Sequence, residues 1–231
     1  MWRPWFDRLA LAAPSRCEVC RAWPARPVCQ ACRYRFAQTV SRCGRCALIL
    51  PGGLQVCGSC LREPPELDAC HAAVDYAFPW TGLIARFKFQ DEPGWARPLA
   101  DLMRAVPAIA HAVSTADRVV PMPLSRRRLS ERGFNQALEL ARRLGAGCVD
   151  ARLLLRVRDT LPQASLDLSR RRANVAQAFA VDPLRAACLA GSHVLLVDDV
   201  MTSGASLAAA ARALRQAGAA RVTGVVLART A

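Results

Sequence analysis

The chain has 231 residues, 53% of them hydrophobic, and a formal net charge of +14. This composition excludes a disordered chain, and the length allows one medium-sized domain with a full hydrophobic core and a second, small domain. No apolar run approaches the ~20 residues that cross a bilayer, and the run at residues 9–13 is shorter than the ~7–15 apolar residues of a signal-peptide core. We therefore expect a cytoplasmic protein without membrane insertion.

Cysteine pairs dominate the first part of the chain. Eight of the 11 cysteines form four C-x-x-C pairs. Such a pair places two sulfurs on one tight turn, and two pairs complete a tetrahedral zinc site with four thiolate ligands. Disulfides explain the pattern poorly in a chain without an export signal. We therefore predict two structural Zn²⁺ ions, held by Cys17, Cys20, Cys29, Cys32, Cys43, Cys46, Cys57 and Cys60.

The spacing leaves open which pairs share an ion, because both sequential and interleaved pairing are compatible with it. A thioredoxin-like redox pair would precede a helix in a βαβ context, which these four pairs lack. A closed site of four cysteines has no open position, so we assign no catalysis to this region. Since Pro64-Pro65 marks a change in composition, we predict a double zinc-ribbon domain at residues 1–68 and a second domain at residues 69–231.

Apolar segments and helical patterns alternate in this second domain. Periodicity predicts buried strands at residues 118–122, 193–197 and 223–228. It predicts helices at residues 94–112, 135–144 and 206–217. Strands that alternate with helices favour an α/β fold with a mostly parallel sheet flanked by helices.

Arginines are concentrated in the middle of the chain. Residues 118–172 contain 13 Arg against five acids, a net charge of +8. This concentration predicts an anionic partner, either a polyphosphate or a nucleic acid. Guanidinium groups that follow the strand at residues 118–122 suit phosphate oxygens, although a solvated basic turn is an alternative. The residues concerned are Arg126, Arg127, Arg128 and Arg132.

A strand, a pair of acids and a loop of small residues follow one another at residues 194–206, VLLVDDVMTSGAS. In open α/β sheets ligands bind at the carboxyl ends of strands. Small residues at the start of a helix let backbone N–H groups converge on a phosphate, and neighbouring carboxylates suit hydroxyl groups and hydrated Mg²⁺. An acid pair alone would indicate only a capped turn. The full string resembles the signature of type I phosphoribosyltransferases, with Ser203 where a second Thr is more frequent.

This resemblance implies a site for phosphoribosyl pyrophosphate (PRPP) with Mg²⁺. The 5-phosphate would be held by Thr202, Ser203, Gly204, Ala205 and Ser206. Asp198 and Asp199 would act in catalysis by engaging the ribose hydroxyls, directly or through the metal. The pyrophosphate would be bound by Arg126, Arg127, Arg128 and Arg132, and by Lys88, which could instead simply cover an apolar edge.

Further segments resemble the ComF family, phosphoribosyltransferase-like proteins associated with natural competence. The matching strings are Pro-Met-Pro-Leu at 121–124, Arg-Gly-Phe-Asn-Gln at 132–136, Phe-Lys-Phe at 87–89 and Thr-Leu-Pro-Gln at 160–163. The cysteine-rich N-terminal region is also typical of that family. Residues 156–172 of this chain correspond to a region that forms a mobile lid in transferases. Here this lid would carry Arg156, Gln163 and Arg172. A loop that faces nucleic acid is the alternative.

The resemblance implies transfer of a phosphoribosyl group from PRPP to a nitrogen acceptor, in a protein linked to DNA uptake or to the use of DNA as a nutrient. No segment that would recognise a particular acceptor is apparent. The alternative is a zinc-ribbon adaptor. Its partner would be single-stranded DNA, or a helicase or processing protein of the DNA-uptake machinery. In that case the PRPP loop would bind phosphate or a nucleotide without turnover, and DNA binding would weaken steeply with salt.

Overall fold

Residues 15–145, 148–157 and 177–231 are described by a computed structural model. The chain forms two compact units, one that ends at Gln38 and one that comprises Thr39–Ala231. The first contains the first four C-x-x-C cysteines and helix α1 (Gln30–Phe36). The second contains the other four, helix α2 (Gly58–Arg62) and all the strands described below. The domain boundary near residue 68 stays a prediction from composition.

The second unit is built on a four-stranded parallel sheet. Its strands are β1 (Ala69–Asp75), β2 (Arg118–Pro121), β5 (His193–Met201) and β6 (Arg221–Arg229), in the order β1-β6-β5-β2. A separate antiparallel pair is formed by β3 (Leu154–Arg156) and β4 (Phe179–Val181). The central strands β5 and β6 carry nearly continuous apolar runs, as expected of parallel strands that are covered on both faces.

Helices flank this sheet. They are α3 (Trp80–Phe89), α4 (Ala96–Arg104), α5 (Pro107–Thr115), α6 (Arg126–Arg132), α7 (Gln136–Leu144) and α8 (Ala205–Gln216). Helices α4 and α7 pack together, and α8 packs against β4 and β6. The predicted α/β class with a mostly parallel sheet is therefore confirmed. None of the helices in the described ranges is long and apolar enough to cross a membrane.

Two predicted elements differ from the structure. The helix expected at residues 94–112 is divided, because Pro107 begins α5 and Val106 before it is extended. Proline cannot continue the hydrogen-bond ladder of a preceding helix and disfavours helical backbone at the residue before it. The strand expected at residues 193–197 continues to Met201, since it pairs with β6 as far as Arg229. The acid pair therefore lies inside β5, close to its carboxyl end.

Candidate functional site

The acid pair lies in β5, and one of its two carboxylates contacts helix α3. The backbone N–H of Asp199 donates to Asp198 Oδ1 at 2.9 Å. Asp199 is buried, and its Oδ1 lies 2.9 Å from Lys88 Nζ, near the end of α3. Desolvation of its carboxyl, followed by the negative charge of Asp199, raises the pKa of Asp198 to about 7, although Lys88 and Arg132 act in the opposite direction. Asp198 is therefore poised to change its charge near neutral pH.

Residues 202–206, which are predicted to hold a phosphate and which we call the phosphate loop, lead from the end of β5 into α8. Gly204, the N-cap of α8, has φ +77°, and an added Cβ there would lie 2.4 Å from Met201 Cε. The left-handed backbone favours glycine here, and the methyl group at the flexible end of the Met201 side chain would have to move to admit a Cβ. The Ala205 N–H donates to Ser203 Oγ at 3.4 Å. Because the first N–H groups of a helix lack intrahelical partners, the start of α8 offers donors to an anion.

A cavity of 280 Å³ joins the acid pair to this loop at the carboxyl edge of the sheet. Its lining includes both acids, two hydroxyl side chains of the loop and four cations. The residues from the predicted site that line it are Lys88, Arg128, Arg132, Arg156, Asp198, Asp199, Thr202 and Ser206. The cavity thus combines carboxylates with cations from three separate elements, which is suited to a ligand that carries both hydroxyl and phosphate groups.

The other predicted site residues lie elsewhere. Arg126 and Arg127 are outside the lining of this cavity, and the exposed Arg127 pairs with Glu131 at 2.8 Å. Ser203, Gly204 and Ala205 line a neighbouring cavity instead. Gln163 and Arg172, predicted in the lid, lie outside the described residues.

The string at residues 132–136 connects α6, α7 and α3. Gly133 ends α6 with φ +73°, and Asn135 caps α7 while its Nδ2 donates to Met122 O at 3.0 Å. The buried Gln136 accepts from Arg132 Nη1 at 3.1 Å, and its own Nε2 donates to the Phe87 carbonyl at 3.4 Å. Through these contacts the string fixes Arg132 close to the helix that carries Lys88.

Sequence reasoning missed two polar residues of the cavity lining. Tyr76 follows β1 and Thr230 follows β6, and both reach the same edge of the sheet as the acid pair. Their backbones are linked to this edge, because Tyr76 N–H donates to Arg229 O at 2.8 Å and Thr230 N–H donates to Met201 O at 3.1 Å. Neither residue lies in a recognisable motif, so only the order of the strands could have indicated them.

The first cysteine cluster comprises Cys17, Cys20, Cys29 and Cys32, whose sulfurs lie within 4.8 Å of one another. The Sγ atoms of Cys17 and Cys32 are 3.8 Å apart, and those of Cys20 and Cys29 are 3.6 Å apart. These separations match the edge of a tetrahedron of four sulfurs around zinc, about 3.8 Å for a Zn–S bond of about 2.3 Å. Burial alone would raise the pKa of Cys17, but backbone hydrogen bonds outweigh it and lower the pKa to about 6, which favours the thiolate.

The second cluster comprises Cys43, Cys46, Cys57 and Cys60 and repeats this geometry. The Sγ atoms of Cys46 and Cys57 are 3.7 Å apart, and the Cys57 N–H points at Cys43 Sγ at 3.3 Å. In both clusters the third cysteine caps a short helix by accepting from the N–H of the fourth. The structure therefore groups the pairs sequentially, and each group has the donor set and spacing of a structural zinc site.

Comparison with known proteins agrees with this architecture. Residues 129–231 match the family model described as a phosphoribosyl transferase domain. The DNA utilization protein YhgH of Salmonella typhimurium is 34% identical over 95% of this chain and 99% of its own length. The protein of the same name from Escherichia coli K12 is 32% identical over 95% of this chain and 99% of its own length.

The competence protein F of Haemophilus influenzae is 31% identical over 88% of this chain and 92% of its own length. These relatives each cover 88–95% of this chain. The chain therefore belongs to the ComF family and carries a phosphoribosyl transferase domain.

Proposed function

We propose that this protein binds PRPP with Mg²⁺ in the 280 Å³ cavity and transfers its phosphoribosyl group to a nitrogen acceptor, with release of pyrophosphate. The observation that carries the proposal is the joint lining of one cavity by the acid pair, the loop hydroxyls and the cations. PRPP presents matching groups, since its ribose hydroxyls lie between a 5-phosphate and a pyrophosphate.

In this arrangement each part of the ligand has a partner. Thr202, Ser206 and the N–H groups at the start of α8 bind the 5-phosphate. Asp198 and Asp199 accept hydrogen bonds from the ribose hydroxyls. The pyrophosphate is bound by Lys88, Arg128 and Arg132, which all line the same cavity.

The residues present also fit Mg²⁺. Two carboxylates at a partly open cavity are hard oxygen donors, and Mg²⁺ retains several waters when proteins bind it. The ion would neutralise charge on the departing pyrophosphate. The chain's own contribution is mainly positional and electrostatic, because the arginines hold the leaving group and the carboxylates face the ribose as positive charge develops at C1.

The link to DNA rests on the relatives. They are named for DNA utilization and for competence, and we extend that role to this chain as part of the proposal. The protein would act in the cytoplasm, with single-stranded DNA or uptake and processing proteins as its partners. The arginine-rich segment at residues 118–172 is the part of the chain suited to such contacts.

Calorimetric titration of PRPP with Mg²⁺ tests the proposal. The wild-type protein should bind saturably, and the Asp198→Asn/Asp199→Asn variant should not. Arg128→Ala should weaken binding, whereas Arg127→Ala serves as a matched control on the same helix, since Arg127 lies outside the cavity.

Turnover is then measured as pyrophosphate release with a panel of amines and nucleobases. Absence of binding at millimolar PRPP in a zinc-loaded wild-type protein would overturn the proposal. The adaptor function would then be the better account, and salt-sensitive binding of single-stranded DNA would be its signature.

A further inference from the structure

The turn formed by residues 43–46, which we call the second knuckle, is attached to the sheet through its backbone. The Gly44 carbonyl accepts from the Cys70 N–H at 2.8 Å, and the Cys46 carbonyl accepts from Arg229 Nε at 3.0 Å. Cys70 lies at the start of β1 and Arg229 at the end of β6. Two zinc-ligand positions of the second cluster therefore belong to a turn whose backbone is bonded to two neighbouring strands.

Both strand residues also contact Met201, the last residue of β5. Arg229 Nη1 lies 3.4 Å from the Met201 carbonyl, and Cys70 Sγ lies 3.6 Å from Met201 Sδ. Met201 is 5% exposed and Cys70 is 1% exposed, so these contacts are made inside the protein. The second knuckle is thus linked to Met201 by two separate routes.

Met201 in turn supports the phosphate loop. Its Cε occupies the space directly beside Gly204, as the 2.4 Å distance to an added Cβ shows. Its carbonyl accepts from the Thr230 N–H at 3.1 Å as well as from Arg229. Met201 is therefore bonded through its carbonyl to the end of β6 and packs with its methyl group beside the loop.

A second cavity lies beside the phosphate loop. It measures 560 Å³ and lies between the second cysteine cluster and the phosphate loop, with Cys46, Cys57, Met201, Gly204 and Arg229 in its walls. Side chains of the described residues leave this space open beside the loop, and Met201 and Arg229 form the part of its wall that is bonded to the second knuckle or to the strands next to it.

We propose that the second cysteine cluster holds the phosphate loop in its ligand-binding geometry, with Arg229 and Met201 as the positioning residues. Zn²⁺ at this cluster, and not at the first, would then determine how tightly the loop binds a phosphate monoester. The proposal deepens the PRPP function and rests on it for the identity of the ligand, but the connection between knuckle and loop stands on the contacts alone.

The first experiment compares Arg229→Met with Arg42→Met. Arg42 also contacts the chain directly after the second knuckle, through the Ala47 carbonyl at 3.1 Å, but its other partner is Asp75 Oδ1 at 2.7 Å. Arg229→Met should retain two zinc ions per chain, bind PRPP and inorganic phosphate about 10-fold more weakly, and exchange the amide hydrogens of residues 201–206 faster. Arg42→Met should leave affinity and exchange in this segment unchanged, and Arg229→Lys, which keeps one donor group, should restore part of both.

The second experiment compares the two clusters. Cys46→Ser and Cys20→Ser should each remove about one zinc ion per chain, but only Cys46→Ser should weaken phosphate binding and speed exchange at residues 201–206. Equal effects of the two cysteine variants, or wild-type exchange in Arg229→Met, would overturn the proposal. If the wild-type protein fails to bind PRPP, the proposed function is wrong, and the exchange of residues 201–206 still decides whether the second cluster positions the loop.

Discussion

Lys88 Nζ lies 2.9 Å from Asp199 Oδ1, and both side chains are largely buried, with exposed fractions of 15% and 9%. This ion pair joins helix α3 to the carboxyl end of β5, two elements that are far apart in the chain. It also places a positive charge beside two carboxylates at the edge of the cavity. The contact therefore has a structural role, and in the proposed function it brings a cation to the bound pyrophosphate.

Replacing Lys88 tests this dual role. Lys88→Met should lower the free energy of unfolding at pH 8 by about 2–4 kcal/mol, because it leaves Asp199 buried without its partner. The cost should shrink in Lys88→Met/Asp199→Asn, which removes both charges. Urea denaturation of the four proteins in the double-mutant cycle measures this difference. Additive effects would contradict a direct coupling of the two side chains.

The raised pKa of Asp198 predicts a pH dependence of stability in the ligand-free protein. The folded state keeps Asp198 protonated up to about pH 7, whereas the unfolded state ionises near the ordinary value of 3.8. Folding therefore takes up a proton between these limits, so this contribution to stability is present at low pH and is lost as the pH rises to about 7.

The effect should reach about 1.4 kcal/mol per pH unit between about pH 5 and 6. Asp198→Asn should remove this slope, and denaturation of both proteins across this range measures the difference. Zinc loss at low pH affects both proteins alike and cancels in the comparison. Parallel curves would show that the pKa of Asp198 is not raised.

Gly204→Ala should destabilise the protein and weaken phosphate binding, because it combines backbone strain with a clash against Met201 Cε. Gly191 is a matched control, since it has φ +70° but open space around an added Cβ. We expect Gly191→Ala and Gly204→Ala each to cost about 1 kcal/mol, because both carry the backbone strain and the Met201 methyl group can move. Only Gly204→Ala should change phosphate affinity in calorimetry, and equal affinities of the two variants would contradict this prediction.

Zinc content provides the fourth prediction. Native mass spectrometry of the purified protein should show two zinc ions per chain. Cys17→Ser and Cys43→Ser should each reduce this to about one, because each removes a ligand from a separate cluster. Cys148→Ser should retain both ions, since Cys148 lies outside the two clusters. Loss of both ions from either single variant would mean that the two clusters are not independent.

The parts of the fold that could be predicted from the sequence are those encoded by local patterns. The apolar runs of β5 and β6 identified buried strands, and the loop at residues 202–206 could be recognised because its residues are contiguous. Strand β1 was missed because its sequence, ACHAAVD, has little β-branched or aromatic character. Strands β3 and β4 are only three residues each, too short to show a period.

The candidate site could be predicted only where a motif marks it. Lys88 was identified through the family resemblance, since no local pattern links it to Asp199. Tyr76 and Thr230 reach the cavity because β1 and β6 end at the same edge as β5, which follows from strand order and not from nearby residues. The spacing of the cysteines likewise does not determine which pairs share an ion, whereas the structure groups the pairs sequentially.

The position of Ala47 has a consequence for how this protein can be divided. Ala47, directly after the second knuckle, is fully buried in the main hydrophobic core together with Leu67 and residues of β5 and α8. A fragment that begins at residue 69 would lose both side chains and expose that core to water. Recombination or proteolysis between residues 38 and 39 would leave this apolar cover intact. A stable fragment that contains the phosphoribosyl transferase domain therefore has to include the second cysteine cluster as well.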